Sequence, residues 1–154
     1  KEKKILKTTV PIAVKISPDI KDENINIISD LLLKYNVEAV IISNTTDKNR
    51  ENLSNINKLE KGGLSGKPLE KKSNELINKF YRILKNQIKI IGVGGVDSGQ
   101  SAYEKIINGA SLVQLYTGMI YRGPSIASKI SEELINILDK EGVKNISDIV
   151  GSKN

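Results

Sequence analysis

Four glycines fall within the eight residues Gly92-Val93-Gly94-Gly95-Val96-Asp97-Ser98-Gly99, between an apolar β-branched run and the start of an amphipathic one. At such a junction unshielded backbone amides and the dipole of the following helix favour an anion. A dinucleotide fingerprint would need glycine at position 97, which is Asp97, and no acidic residue follows at the ribose-binding distance. The motif is therefore a phosphate cradle or a plain tight turn. A second cluster, Gly62-Gly63-Leu64-Ser65-Gly66, lets backbone approach a flat ligand closely, although a turn explains it as well. Lys15 interrupts an apolar strand, so it either snorkels out at an edge or meets an anionic ligand. Asn44 and Thr45 can offer amide and hydroxyl groups to a planar polar substrate, or simply open an Asx turn.

What the chain lacks narrows its chemistry further. It has no Cys and no His, which excludes zinc sites of thiolate and imidazole, Ser-His-Asp and Cys-His nucleophiles, disulfide frameworks and dithiol redox centres. Lys, Asn, Ser, Thr, Tyr, carboxylates, backbone amides or a bound cofactor must do the work, and no metal site is expected. The formal charge of +6 divides into +3 from the first seven residues and +3 spread over the rest. With arginine only at Arg50, Arg82 and Arg122 and few aromatics for stacking, nucleic acid is not the expected partner. No apolar run approaches the roughly 18 residues that cross a bilayer, so the segment reads as soluble. The absent start Met beside a basic run suggests that residue 1 is not a natural start.

The elements that must hold these groups alternate as βα units do. Strands are expected over 9–16, with Pro11 near its start, and over 38–43, 87–93 and 111–115. Ile25, Ile28 and Leu32 define a helix over 23–34, and Leu76, Phe80, Ile83 and Leu84 one over 69–84. Asp97 or Ser98 caps a third helix, Gln100 completes a capping box from Asp97, and Gly109 closes it. Gly123-Pro124 leads into a last helix with Ile126, Ile130, Leu134 and Ile137 on one face, and 140–154 is a polar tail. The polar stretch over 44–66 is long for a loop in a compact domain. Its residues from Thr46 to Lys61 are expected to be mobile and to act as a lid, because Leu53, Ile56 and Leu59 are too few to anchor them.

Lys15, Ser43-Asn44-Thr45, Gly92 to Gly95 and Tyr116-Thr117-Gly118 all stand at carboxyl ends of strands, the edge where α/β folds bind ligands. A small doubly wound sheet and four consecutive units of a (β/α)8 barrel both fit the pattern. A whole barrel takes about 250 residues, so the second architecture would be incomplete here.

Taken in order, Val14-Lys15-Ile16 with Ser17-Pro18-Asp19, Ser43-Asn44-Thr45-Thr46, Gly62-Gly63-Leu64-Ser65-Gly66-Lys67-Pro68-Leu69, Ile91-Gly92-Val93-Gly94-Gly95-Val96 and Ala110-Ser111-Leu112-Val113-Gln114-Leu115-Tyr116-Thr117-Gly118 resemble the C-terminal half of a class 2, quinone-dependent dihydroorotate dehydrogenase. The resemblance implies the second half of a (β/α)8 TIM barrel, with a flank at 1–9 and the half-barrel at 10–154. It implies FMN at the carboxyl edge, contacted by Lys15, Ser43, Ser65, Gly66, Gly94, Gly95, Tyr116 and Thr117, with Asn44 and Thr45 on dihydroorotate or orotate. It implies quinone as electron acceptor in pyrimidine biosynthesis. Catalytic base, quinone entry and membrane contact would belong to an N-terminal half, so no catalytic residue is expected here and the segment alone should be inactive. The whole enzyme would sit peripherally on a bacterial cytoplasmic or mitochondrial inner membrane. A class 1 relative, or a noncatalytic phosphate- or flavin-binding module, is the alternative.

Overall fold

The computed structural model describes residues 10–48, 50–51 and 53–154, so the flank at 1–9 lies outside the described residues. Strands β1 (Ala13–Ile16), β2 (Ala39–Ile42), β3 (Lys89–Val93) and β4 (Leu112–Gln114) form one parallel sheet in the order β1-β2-β3-β4. Helix α1 (Glu23–Lys34) follows β1, α2 (Glu70–Leu84) follows β2, α3 (Gly99–Ile107) follows β3, and α4 (Thr117–Arg122) and α5 (Ile126–Lys140) follow β4.

That order decides between the two architectures. A doubly wound sheet reverses its order at a switch point and carries helices on both faces. Here each strand lies beside its predecessor in sequence, and among the described residues helices cover only one face. Val40, Ile42 and Ile90 are buried with Ile25 and Leu32 of α1 and with Leu76, Ile77, Phe80 and Leu84 of α2. Lys15, Leu112 and Gln114 alternate onto the other face and are exposed. Consecutive strands with helices on one side are successive units of a (β/α)8 barrel, whose inner face is the bare one.

Local chemistry accounts for the element ends, with some departures from expectation. β1 starts at Ala13 because Pro11 has no amide to give a ladder. Ser98, not Asp97, caps α3, and its capping-box partner is Ser101 rather than Gln100. Gln100 lies one position too early and reaches Glu104 instead. A 3-10 turn over Lys67–Leu69 precedes α2. The polar tail is docked: Ile149 is buried, the Tyr81 hydroxyl donates to the Val150 carbonyl at 3.0 Å, and the Gly151 and Lys153 amides donate to Ile106 and Ile107.

Lys105 of α3 is completely buried, with its Cδ 2.9 Å from where a Cβ on Gly92 would stand and its Nζ donating to Asn74 Oδ1 of α2 at 2.6 Å. Burial pushes its pKa down to about 8; Glu70 opposes that and Lys67 adds to it. Between pH 8 and the unfolded value of 10.5 the unfolded chain holds a proton that the folded chain has released, so stability rises with pH in that window. The full rise is about 3 kcal/mol. Lys105→Met should remove this slope and stabilise the chain at pH 7, because the replacement keeps the volume without the buried charge. Denaturant midpoints for both proteins at pH 7, 8, 9 and 10 check this; equal slopes would show that Lys105 keeps its proton. Tyr103, pushed up to about 12 by its hydrogen bond to Glu141, tilts stability the other way only above about pH 10.

Candidate functional site

The carboxyl ends of all four strands open onto one cleft of about 360 Å³. Lys15 enters it from β1, Ser43, Asn44 and Thr45 from the end of β2, Gly94 and Gly95 from the end of β3, and Tyr116 and Thr117 from the end of β4. Ser65 and Gly66 complete the wall from the loop before α2. All ten residues expected to contact cofactor or substrate therefore line a single cleft. A larger groove of about 780 Å³ lies between α2 and α3, lined by Lys67, Glu75, Arg82 and Glu104 among others. It is a solvent-facing channel on the helical side, away from the strand ends, and brings no convergent site chemistry.

The walls are drawn together by glycine. Gly95 sits against the first residue of α2, so a Cβ there would lie 2.8 Å from Glu70 Cα and 3.0 Å from its amide nitrogen, and its φ of +76° favours glycine in any case. Gly63 leaves no room for a Cβ against the Thr45 side chain, and a Cβ on Gly66 would come 3.0 Å from Thr117 Cγ2. The second glycine cluster thus packs on both the β2 and β4 loops, which the sequence pattern could not show.

Side chains then fix the rim. Ser65 Oγ lies 2.9 Å from Thr117 Oγ1, tying the two loops. The Asn44 backbone amide donates to the Ile16 carbonyl at 2.9 Å, and Asn44 Oδ1 accepts from the adjacent Thr45 amide at 2.9 Å, one residue on rather than the two that an Asx turn needs. Ser43 is buried and donates to the Asn44 carbonyl at 3.1 Å. Outside the β3 turn, Lys67 pairs with Glu70 at 2.5 Å and Asp97 at 3.6 Å. The hydrogen bond it donates to Glu70 holds its ammonium above the usual lysine value, outweighing desolvation, with the charges of both carboxylates adding to the effect.

The long loop is held by polar rather than apolar groups. Thr46 and Leu64 form an isolated antiparallel bridge at its stem. Arg50 donates to the carbonyls of Lys58, Glu60 and Gly62, and Asn55 caps a 3-10 turn over Ile56–Leu59. Ile56 and Leu59 point outward, 88% and 86% exposed. Three carbonyls gathered by one guanidinium give the loop an internal frame without a hydrophobic anchor.

Asp19 was not visible as a site residue in the sequence. It accepts from Thr46 Oγ1 at 2.7 and 2.9 Å and from Lys72 Nζ. Burial pushes its carboxyl up, but the hydrogen bonds of Lys72 and Thr46 and the Lys72 charge outweigh it and hold the pKa below 3.8. Its partners lie 27 and 53 residues away in sequence, so only the fold joins them. Among the described residues no cluster of acidic groups is suited to a metal ion, and no helix is long and apolar enough to cross a membrane.

Known proteins share both this sequence and this fold. A family model described as dihydroorotate dehydrogenase matches residues 1–138. Dihydroorotate dehydrogenase (quinone) of Deinococcus radiodurans is 42% identical over 141 residues, which covers 92% of this chain and 38% of that protein. Its mitochondrial namesake of Arabidopsis thaliana is 42% identical over 143 residues, covering 92% and 31%. A crystal structure of DHODH from Eimeria tenella in complex with ferulenol superposes with a TM-score of 0.90 at 40% identity, covering 93% of this chain and 38% of that one. The chain thus spans less than half the length of the relatives it matches. On the family match, the shared fold and the relatives' quinone-linked names, the chain belongs to the dihydroorotate dehydrogenase family, in its class 2.

Proposed function

We propose that this chain supplies one half of the FMN- and orotate-binding edge of a quinone-linked dihydroorotate dehydrogenase. The observation that carries the proposal is the convergence of Lys15, Asn44, Gly66, Gly95 and Thr117, from five separate segments, on one cleft. The cleft suits a flat, phosphorylated cofactor. Its volume falls in the range of about 300 to 1,000 Å³ common to small-molecule sites, and Gly66, Gly94 and Gly95 line it with backbone alone.

When bound, FMN supplies two-electron acceptance from the substrate and onward transfer to quinone. Lys15 then places a positive charge at the ring edge where electron density accumulates. Asn44 and Thr45, exposed at the cleft mouth, orient the dihydroorotate ring by amide and hydroxyl contacts. Tyr116 and Thr117 offer backbone amides to the phosphate, at the loop after the last strand where (β/α)8 barrels commonly bind one. Ser43 and Ser65 stand beside the flavin, held by their hydroxyl contacts to the Asn44 carbonyl and to Thr117 Oγ1. On the resemblance to class 2 enzymes, we assign the catalytic base, quinone entry and membrane contact to the rest of the barrel.

Two measurements test the proposal. The purified 154-residue chain should oxidise dihydroorotate no faster than a protein-free control. The complete barrel containing it should carry one FMN per chain and reduce a quinone analogue with dihydroorotate. Turnover by the chain alone would refute the division of labour. A complete barrel without flavin would favour a noncatalytic phosphate-binding module instead.

A further inference from the structure

The cleft exposes Asn44 and Thr45 on a stretch that has left its strand, so something must hold that stretch still. On one side the Asn44 amide is tied to Ile16. On the other, Thr46 is buried, exchanges backbone hydrogen bonds with Leu64 at 3.1 and 2.6 Å, and accepts from the Lys48 amide through its hydroxyl oxygen at 3.1 Å. Its hydroxyl proton points to Asp19, whose carboxylate also receives Lys72 from the first turn of α2. Three segments far apart in sequence thus meet one residue beyond the substrate-facing pair. Asp19 does not line the cleft.

We propose that Asp19 is a positioning residue for substrate: through Thr46, and with Lys72 balancing its charge, it fixes where Asn44 and Thr45 stand relative to the cleft. The inference rests on the reading of Asn44 and Thr45 as the substrate-contacting pair. A carboxylate suits the task because each oxygen has two acceptor sites: Oδ1 accepts from both the Lys72 ammonium and the Thr46 hydroxyl, and Oδ2 also lies 2.9 Å from that hydroxyl. The hydroxyl is equally specific, since Thr46 must donate to Asp19 while accepting from Lys48. Valine has the same shape and can do neither.

The experiment uses the complete FMN-loaded protein with Asp19→Ala, Thr46→Val, Thr46→Ser and Asn44→Ala. Orotate affinity is read from the change in flavin absorbance, alongside FMN content, unfolding midpoint and the split between KM and kcat. Asp19→Ala and Thr46→Val should each weaken orotate and raise KM by about tenfold to a hundredfold, with FMN content and kcat near the parent values, since a misplacement of about 1 Å can cost a hundredfold. The double variant should be no weaker than either single one, because both break the same contact, and Thr46→Ser should bind as the parent does. Asp19→Ala could fail to fold by leaving Lys72 unpaired; Thr46→Val keeps that ion pair and carries the test alone. Unchanged orotate affinity in Thr46→Val, additive losses in the double variant, or equal damage in Thr46→Ser and Thr46→Val would overturn the role of Asp19. If Asn44→Ala leaves orotate affinity unchanged, the assignment of the pair fails first and the proposal falls with it.

Discussion

Gly95→Ala should destabilise the chain by about 2 to 5 kcal/mol and strip the cofactor from the complete protein. Two costs add. A residue with a Cβ held at φ +76° is penalised by roughly 1 to 2 kcal/mol. The new methyl group would then press on Glu70 Cα and the Glu70 amide nitrogen, backbone atoms at the start of α2 that cannot swing aside. Overpacking of that kind costs typically about 1 to 3 kcal/mol, and more against a fixed wall. The sum is a large share of the roughly 5 to 15 kcal/mol that holds a domain together. Gly142→Ala separates the two costs, because Gly142 has φ +69° and nothing within 4 Å of an added Cβ. Urea midpoints should drop slightly for Gly142→Ala and severely for Gly95→Ala. Equal losses at both positions would show that the contact with Glu70 costs nothing.

Lys15→Ala in the complete FMN protein should slow flavin reduction by about a hundredfold to a thousandfold, with little change in orotate affinity. Lys15 lies on the sheet face without helices and reaches the cleft from β1, so removing it opens no gap in the packed core. The loss is electrostatic. A positive charge fixed beside the ring matters little while the flavin is oxidised and most when electron density builds, which places the effect in the rate and not in ground-state binding. Comparable preorganised partners are worth roughly 2.7 to 4 kcal/mol. Anaerobic stopped-flow bleaching of the flavin by dihydroorotate reads the step directly. A normal bleaching rate in Lys15→Ala would reduce the lysine to an edge residue of β1.

The parts of this molecule that periodicity could reach were legible. The stripe of Ile25, Ile28 and Leu32 marks a helix over 23–34, where α1 lies, because three turns of apolar spacing leave few alternatives. Strand ends were less so: β1 is half the expected length, since hydropathy does not tell where a neighbouring strand stops offering partners. Choosing between barrel and doubly wound sheet needed the strand order, which no local pattern holds. The docked tail was unreadable for a similar reason. Ile146, Ile149 and Val150 are too few to show a period, and their partner Tyr81 is 69 residues from Val150. Among site residues, glycine clusters and the lone strand lysine stood out because they violate local expectation. Asp19 and Lys105 did not, since each looks like an ordinary surface charge until its distant neighbours are known.

The bridge between Thr46 and Leu64 has a consequence for how this protein tolerates insertion. Because the two stems are closed on each other, and Asp19 and Gly63 fix them to the cleft, whatever runs between them adds only the entropy of a longer closed loop. Each doubling of that length costs only about 0.6 kcal/mol. Exposed side chains such as Glu51 and Ser54 take no part in closing the stems. Changes of length around such positions should leave the stems in place, whereas changes at Thr46, Gly63 or Leu64 should not.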